Sequence, residues 1–337
     1  MKLYISIFFT FFLSGCSTFI ANKIVSSNTP EVSGNIAKHI VLVDLCDNDS
    51  HCIKGQKLNN SEVHNMTLSF NFEINENRKK WLFTLRNADL ANSNSDNRNL
   101  IFIFLGYSQP SEIIYMHQQW LQNISGAEVI VIQSADKSES FQFGLDYVSP
   151  VVSYIEKNKP NQVHLIGFSM GAVAAQAVSE KVDNAHLHLV APMTNFEHST
   201  IAIWDILHKE KFYSKFISQV DVEEAVQKVY ENSNADAQDI DIIRRLKSTT
   251  VPTYIYASID DRVTPASDWK DIHLKHVQLN TYNGLNHLEM MALIHKPLIK
   301  DVVSNLLQTD IIETDTETLG VLCDTADNAC LSEIAGR

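Results

Sequence analysis

Gly167-Phe168-Ser169-Met170-Gly171 sets a serine between two glycines where an apolar strand pattern, Val163 to Ile166, gives way to a small-residue helix pattern, Ala172 to Ala177. A serine hydroxyl is a weak nucleophile at neutral pH and needs a base beside it and backbone donors close by. The G-x-S-x-G spacing serves that need. A sharp strand-to-helix turn exposes the hydroxyl, and glycines let the two backbones pass closely because they carry no Cβ. Five-residue patterns arise by chance, so the strand before and the helix after are what make this a nucleophile elbow. The backbone N–H of Met170, the next residue, is then a donor for the oxyanion of an acyl-transfer intermediate.

A base and an acid should follow the serine, each just past a strand. Val251 to Ala257 is β-branched and aromatic and runs into Ser258-Ile259-Asp260-Asp261-Arg262-Val263-Thr264-Pro265, which offers Asp260 and Asp261. His276 to Tyr282 is a second strand pattern, followed by Asn283-Gly284-Leu285-Asn286-His287 and an apolar helix pattern, Leu288 to Leu307. A carboxylate on the first loop can orient the imidazole of His287 and stabilise its protonated form. His186 and His188 alternate on one strand face, a geometry open to a metal, but no Asp, Glu or Cys lies beside them at ligand spacing. They are read as hydrogen-bonded strand residues.

From residue 98 to 308 the chain resembles the α/β-hydrolase superfamily. In that family the acid loop commonly reads G-x-x-D-x-x-x-P and the histidine loop G-x-x-H. Ser258 to Pro265 matches the first with Asp261 as the acid and Ser258 in place of glycine, and Asp260 is the runner-up. Gly284 to His287 matches the second unchanged. The family's second oxyanion donor comes from a loop that usually begins His-Gly. Here the apolar strand Asn99 to Leu105 ends in Gly106-Tyr107-Ser108-Gln109-Pro110, so the resemblance assigns that donor to the backbone of Tyr107, with Leu105 where the histidine usually stands.

Met1-Lys2 and the apolar run Leu3 to Leu13 have the form of a secretory signal, too short to span a bilayer permanently. Leu13-Ser14-Gly15-Cys16 resembles the bacterial lipobox, which implies cleavage before Cys16, lipid on its thiol and, with Ser17 following, the outer membrane of a Gram-negative envelope. Export makes the other four cysteines, Cys46, Cys52, Cys323 and Cys330, candidates for two disulfides, with local pairs simplest and crossed pairs possible. A net charge of −13 weighs against nucleic acid as a partner, which demands basic patches. No metal or cofactor is expected, and oligomeric state is not legible.

The expected organisation is a signal peptide over residues 1–15, a lipidated polar tether over 16–38, a hydrolase domain over 39–308 and an acidic tail over 309–337. Strand patterns at 39–45, 66–74 and 80–86 suggest antiparallel leading strands. From Leu100, strands alternate with helices at 111–124 and 141–157, the signature of a mostly parallel sheet with helices on both faces. Residues 195–245 show helical spacing, and the resemblance makes them a small cap. The chain thus reads as a membrane-anchored serine hydrolase with the triad Ser169, Asp261 and His287, acting on esters or lipid-like acyl substrates. An acyltransferase or peptidase on the same triad, and a catalytically inactive envelope-binding lipoprotein, are the rival readings.

Overall fold

The computed structural model describes residues 16–25, 40–58, 66–74, 77–85, 98–138, 140–207, 212–311, 319–324 and 326–335. The centre is an eight-stranded sheet in the order β1-β2-β6-β5-β7-β8-β9-β10. Its strands are β1 Ile40–Cys46, β2 Cys52–Leu58, β5 Leu100–Phe104, β6 Glu128–Ile132, β7 Val163–Phe168, β8 Ala185–Val190, β9 Thr253–Ser258 and β10 Val277–Tyr282. From β6 to β10 all neighbours run parallel, whereas β1 and β2 are antiparallel and so is the β2–β6 junction. β5 shows why a parallel strand is apolar throughout. Leu100, Phe102 and Phe104 pack into one core cluster, and Ile101, Ile103 and Leu105 into the other, on the opposite face.

Helices cover both faces. α1 spans residues 16–25. α2 Ser111–Ser125, α8 His287–Ala292 and α9 Lys296–Leu307 fill one side. α3 Val148–Asn158 and α4 Gly171–Ser179 fill the other, joined there by the insertion α5 Phe196–Leu207, α6 Gln219–Ser233 and α7 Ile242–Leu246. A 3-10 turn, Phe212–Phe216, lies between α5 and α6. α10 is Asn328–Ala335.

Several elements differ from the sequence expectation. β2 is an added strand, and it joins β1 at the leading edge. β3 Met66–Ile74 and β4 Asn77–Leu85 pair instead with β11 Val321–Asp324 in a separate three-stranded sheet, so the acidic tail is tied into the fold by β4–β11 pairing. The helix expected at 141–157 begins only at Val148, because Phe143 and Gly144 take positive φ and a 3-10 turn follows. The single helix expected after His287 is two, parted at Leu293, whose φ is 49°. Residues 16–25, expected to be tether, form α1, with Ile20 and Ala21 buried in the core and Ile24 and Val25 packed on it. The disulfides are the local ones, Cys46–Cys52 joining β1 to β2 and Cys323–Cys330 joining β11 to α10. The signal-peptide reading of residues 1–15 and most of the tether lie outside the described residues. No helix among the described residues is long and apolar enough to cross a membrane.

Candidate active site

In a doubly wound sheet, crevices open beyond the carboxyl ends of the strands where the order reverses. β5 is that point here, with β6 on one side and β7 on the other. Ser169 stands at the end of β7 on the turn into α4, with φ 47°, a left-handed conformation rare for serine. The turn is held by neighbours. Ser169 N–H donates to the carbonyl of Val190, and its own carbonyl accepts from Ala172 and Met193. Both flanking glycines are required by contact. A Cβ on Gly171 would run into the carbonyl oxygens of Phe104 and Leu105, and one on Gly167 would meet the Ala172 backbone at 2.6 Å.

His287 enters from the other face as the first residue of α8. Asn286 caps that helix, accepting from Glu289 N–H at 3.0 Å while the Glu289 carboxylate accepts from Asn286 N–H at 2.8 Å, so the start of the helix is fixed. From there His287 Nε2 lies 3.0 Å from Ser169 Oγ, and Nδ1 lies 2.7 Å from Asp261 Oδ2. An Nδ1–H directed at the carboxylate leaves Nε2 to accept the serine proton.

Asp261 is buried and well supplied with donors. Oδ1 accepts from the N–H groups of Val263 at 2.8 Å and Thr264 at 3.0 Å, and Oδ2 accepts from Thr264 Oγ1 at 2.8 Å. Burial pushes this carboxyl's pKa up, but the hydrogen bond and charge of His287, with the donors from Thr264, outweigh it and hold the pKa below the ordinary value. Asp260, the runner-up acid, does not reach the histidine. Its Oδ2 accepts from Gly284 N–H at 2.6 Å and braces the histidine loop instead.

Three residues at the site carry work that motif reading did not find. Thr264 Oγ1 also lies 3.2 Å from His287 Nδ1 and 3.1 Å from the Ala191 carbonyl, linking acid, histidine and β8. Ser258, where the resemblance leads one to expect glycine, donates to the Leu285 carbonyl at 2.6 Å and ties the acid loop to the histidine loop. Gln109 is buried, accepts from Gly106 N–H at 2.8 Å and donates to the Met291 carbonyl at 3.1 Å.

Of the two residues expected to give oxyanion donors, Met170 directly follows the serine and Tyr107 lies on the loop that passes beside it. Met170 is the N-cap of α4, so its N–H belongs to the positive end of the helix. The loop carrying Tyr107 passes closely enough that a Cβ on Gly106 would sit 3.2 Å from Ser169 Cβ. Ser108 N–H holds the far side of that loop through Asp136 Oδ1 at 2.8 Å and Ser134 Oγ at 3.1 Å. Leu105 is buried among apolar side chains, and Gln109 supplies the polar brace.

The remaining candidates lie elsewhere. Cys16 begins α1 outside any disulfide. His188 lies 3.1 Å from His164 and 3.4 Å from the Tyr256 hydroxyl inside the sheet layer, and His186 contacts Gln162. A cavity of about 160 Å³, lined by Ile201, Trp204, Ile217 and Val222 among others, sits between α5 and α6 and shares no lining residue with the triad.

No family model matches the sequence, and no curated protein matches it. Among solved structures, the chain is similar to the esterase Pf2001 of Pyrococcus furiosus in two crystal forms. The first is 14% identical with a TM-score of 0.51, covering 84% of this chain and 97% of that one. The second is 13% identical with a TM-score of 0.53, covering 83% and 98%. Est1E from Butyrivibrio proteoclasticus, at 14% identity and a TM-score of 0.43, covers 71% of this chain and 98% of its own, and is too distant to bear on function. The chain has the α/β-hydrolase fold.

Proposed function

We propose that the protein is a serine hydrolase of carboxylic esters, including lipid-like acyl compounds, anchored through Cys16 in a bacterial outer membrane. The observation that carries the hydrolase reading is the unbroken chain from Ser169 Oγ through His287 to Asp261, at 3.0 and 2.7 Å, on a strained strand-to-helix turn. The lipobox-like Leu13 to Cys16 run supports the anchor.

In this mechanism Ser169 Oγ attacks the acyl carbonyl while His287 Nε2 takes the hydroxyl proton. Asp261 holds the ring in the required tautomer and stabilises the imidazolium. The N–H groups of Met170 and Tyr107 bind the oxygen as it becomes negative. Collapse breaks the bond to the alcohol, which leaves with the proton from Nε2, and Ser169 stays acylated. Water, deprotonated by Nε2, then attacks the acyl-serine, and the acid leaves as Ser169 Oγ takes that proton back from Nε2. A panel of soluble esters of increasing acyl length tests the reading, run on the wild type and Ser169→Ala. Turnover that is lost in the variant supports it. A folded wild type that hydrolyses no ester in the panel contradicts it. Added alcohol or amine acceptors and peptides in the same panel separate transfer and peptidase activity from hydrolysis by their products.

A further inference from the structure

α1 leaves Cys16 no slack. The next residue, Ser17, is 0% exposed, and Lys228 of α6 donates to the hydroxyls of Ser17 at 2.7 Å and Thr18 at 2.8 Å. At the other end of the helix, the Tyr107 hydroxyl donates to the Lys23 carbonyl at 3.3 Å. α1 is therefore fastened to the inserted helices at its start and to the loop beside Ser169 at its end. Anything attached to Cys16 is held at that surface.

The surface carries exposed apolar side chains among polar ones such as Lys215, Gln219, Glu224 and Gln227. Of the nine large hydrophobic residues exposed among those described, five lie on α1 and the insertion: Phe19, Ile206, Phe212, Phe216 and Val220. Phe212 and Phe216 are 76% and 69% exposed, with ring centroids 5.6 Å apart. Val220 lies in the first turn of α6 and stands about 12 Å along the axis from Lys228, the residue that holds α1. A pair of exposed aromatic rings packed on each other marks a contact surface where a lone exposed residue would not. The lipobox-like motif points to the occupant, because it ends at Cys16, next to the residues that Lys228 of α6 holds.

We propose that α1 and the α5–α6 face lie flat against a lipid bilayer, so that the protein is seated on the membrane rather than suspended from it. The proposal rests on lipid attachment at Cys16 for its orientation, and the Phe212–Phe216 pair supplies the interfacial contact. Aromatic side chains favour the headgroup boundary, and one anchor together with a second membrane contact holds more firmly than either alone. A net charge of −13 weighs against an anionic surface. The Tyr107 loop, bonded to α1, then faces the bilayer, and an acyl substrate reaches Ser169 from the lipid side.

The test uses mature protein purified from membranes and reconstituted in vesicles of brominated phosphatidylcholine. Phe212→Trp and Phe216→Trp report on the face, and Leu42→Trp, on exposed β1, serves as control. Emission from positions 212 and 216, above the wild-type background, is expected to shift blue and be quenched, with position 42 unchanged and the effect weaker on anionic vesicles. Equal quenching at all three positions, or none at 212 and 216, overturns the proposal. So does a blue shift at 212 and 216 without vesicles, which would mean that protein rather than lipid covers the face. Mass spectrometry of Cys16 separates the failures: lipidated protein without quenching sinks the docking alone, whereas unmodified protein without quenching sinks the anchor as well. Hydrolysis of a soluble ester by the same variants reports on the hydrolase reading independently.

Discussion

Asp260 and Asp261 are adjacent in sequence and opposite in employment. Asp261 contacts His287, and Asp260 contacts only the Gly284 backbone among the residues of that loop. Asp261→Asn should lower kcat by about 10³ to 10⁴, because the amide favours the wrong imidazole tautomer, while Asp260→Asn should cost far less. Ester kinetics on the two variants check this, and a larger loss in Asp260→Asn would exchange their roles. Gln109 braces the Gly106–Tyr107 loop, proposed to carry an oxyanion donor, against Met291. Gln109→Leu should lower kcat roughly tenfold to a hundredfold with KM little changed, since the displaced donor acts on the transition state, and Gln109→Glu should recover little because it cannot donate to the Met291 carbonyl. The elbow and the histidine loop were legible because each is a local motif. Thr264, Ser258 and Gln109 were not, because their partners Ala191, Leu285 and Met291 are distant in sequence.

The elements that position these side chains depend on close backbone approach. α4 meets the end of β5 at Gly171, where an added methyl would strike two backbone carbonyls that no side-chain rotation can move. Gly171→Ala should therefore destabilise the fold by about 1–3 kcal/mol and reduce activity beyond the loss of folded protein, as the Met170 N–H shifts with its helix. Thermal unfolding combined with activity per folded molecule measures both effects. The parallel strands were readable from their apolar runs between helix patterns. β2 was not, because Cys52-Ile-Lys-Gly-Gln-Lys-Leu is polar and interrupted by glycine and becomes a strand only by pairing with β1. The break at Leu293 was hidden as well. A leucine in left-handed conformation carries none of the glycine signal of a helix end, and only Pro297 in the first turn of α9 marks the restart.

At the scale of the whole molecule, the sheet and its helices enclose histidines that resist charging. Burial holds His117 down at about 4 and His164 at about 3, and it lowers His188 as well, with the neighbouring histidines adding to the effect there. The unfolded chain takes up protons from near pH 6.5 that the folded chain refuses, so stability falls as pH drops from there toward about 4 and then 3. At about pH 5 the loss should reach about 2 kcal/mol for each of His117 and His164. Thermal midpoints measured between neutral and acid pH should fall, and His117→Gln should flatten the slope; a flat wild-type profile would contradict the buried neutral state. The docking of α1 was invisible in the sequence because four of its ten residues are polar and its core-facing positions, Ile20, Ala21, Ile24 and Val25, find their partners in distant elements. The tail's order was equally hidden, since β11 exists through its pairing with β4.

The most direct test of the central claim, an activated serine at the elbow, is fluorophosphonate labelling of the folded protein followed by peptide mapping, with Ser169→Ala and His287→Ala alongside. A single adduct on Ser169, absent from both variants, is the predicted result. A folded wild type that does not label, or an adduct on another residue that survives Ser169→Ala, would contradict it.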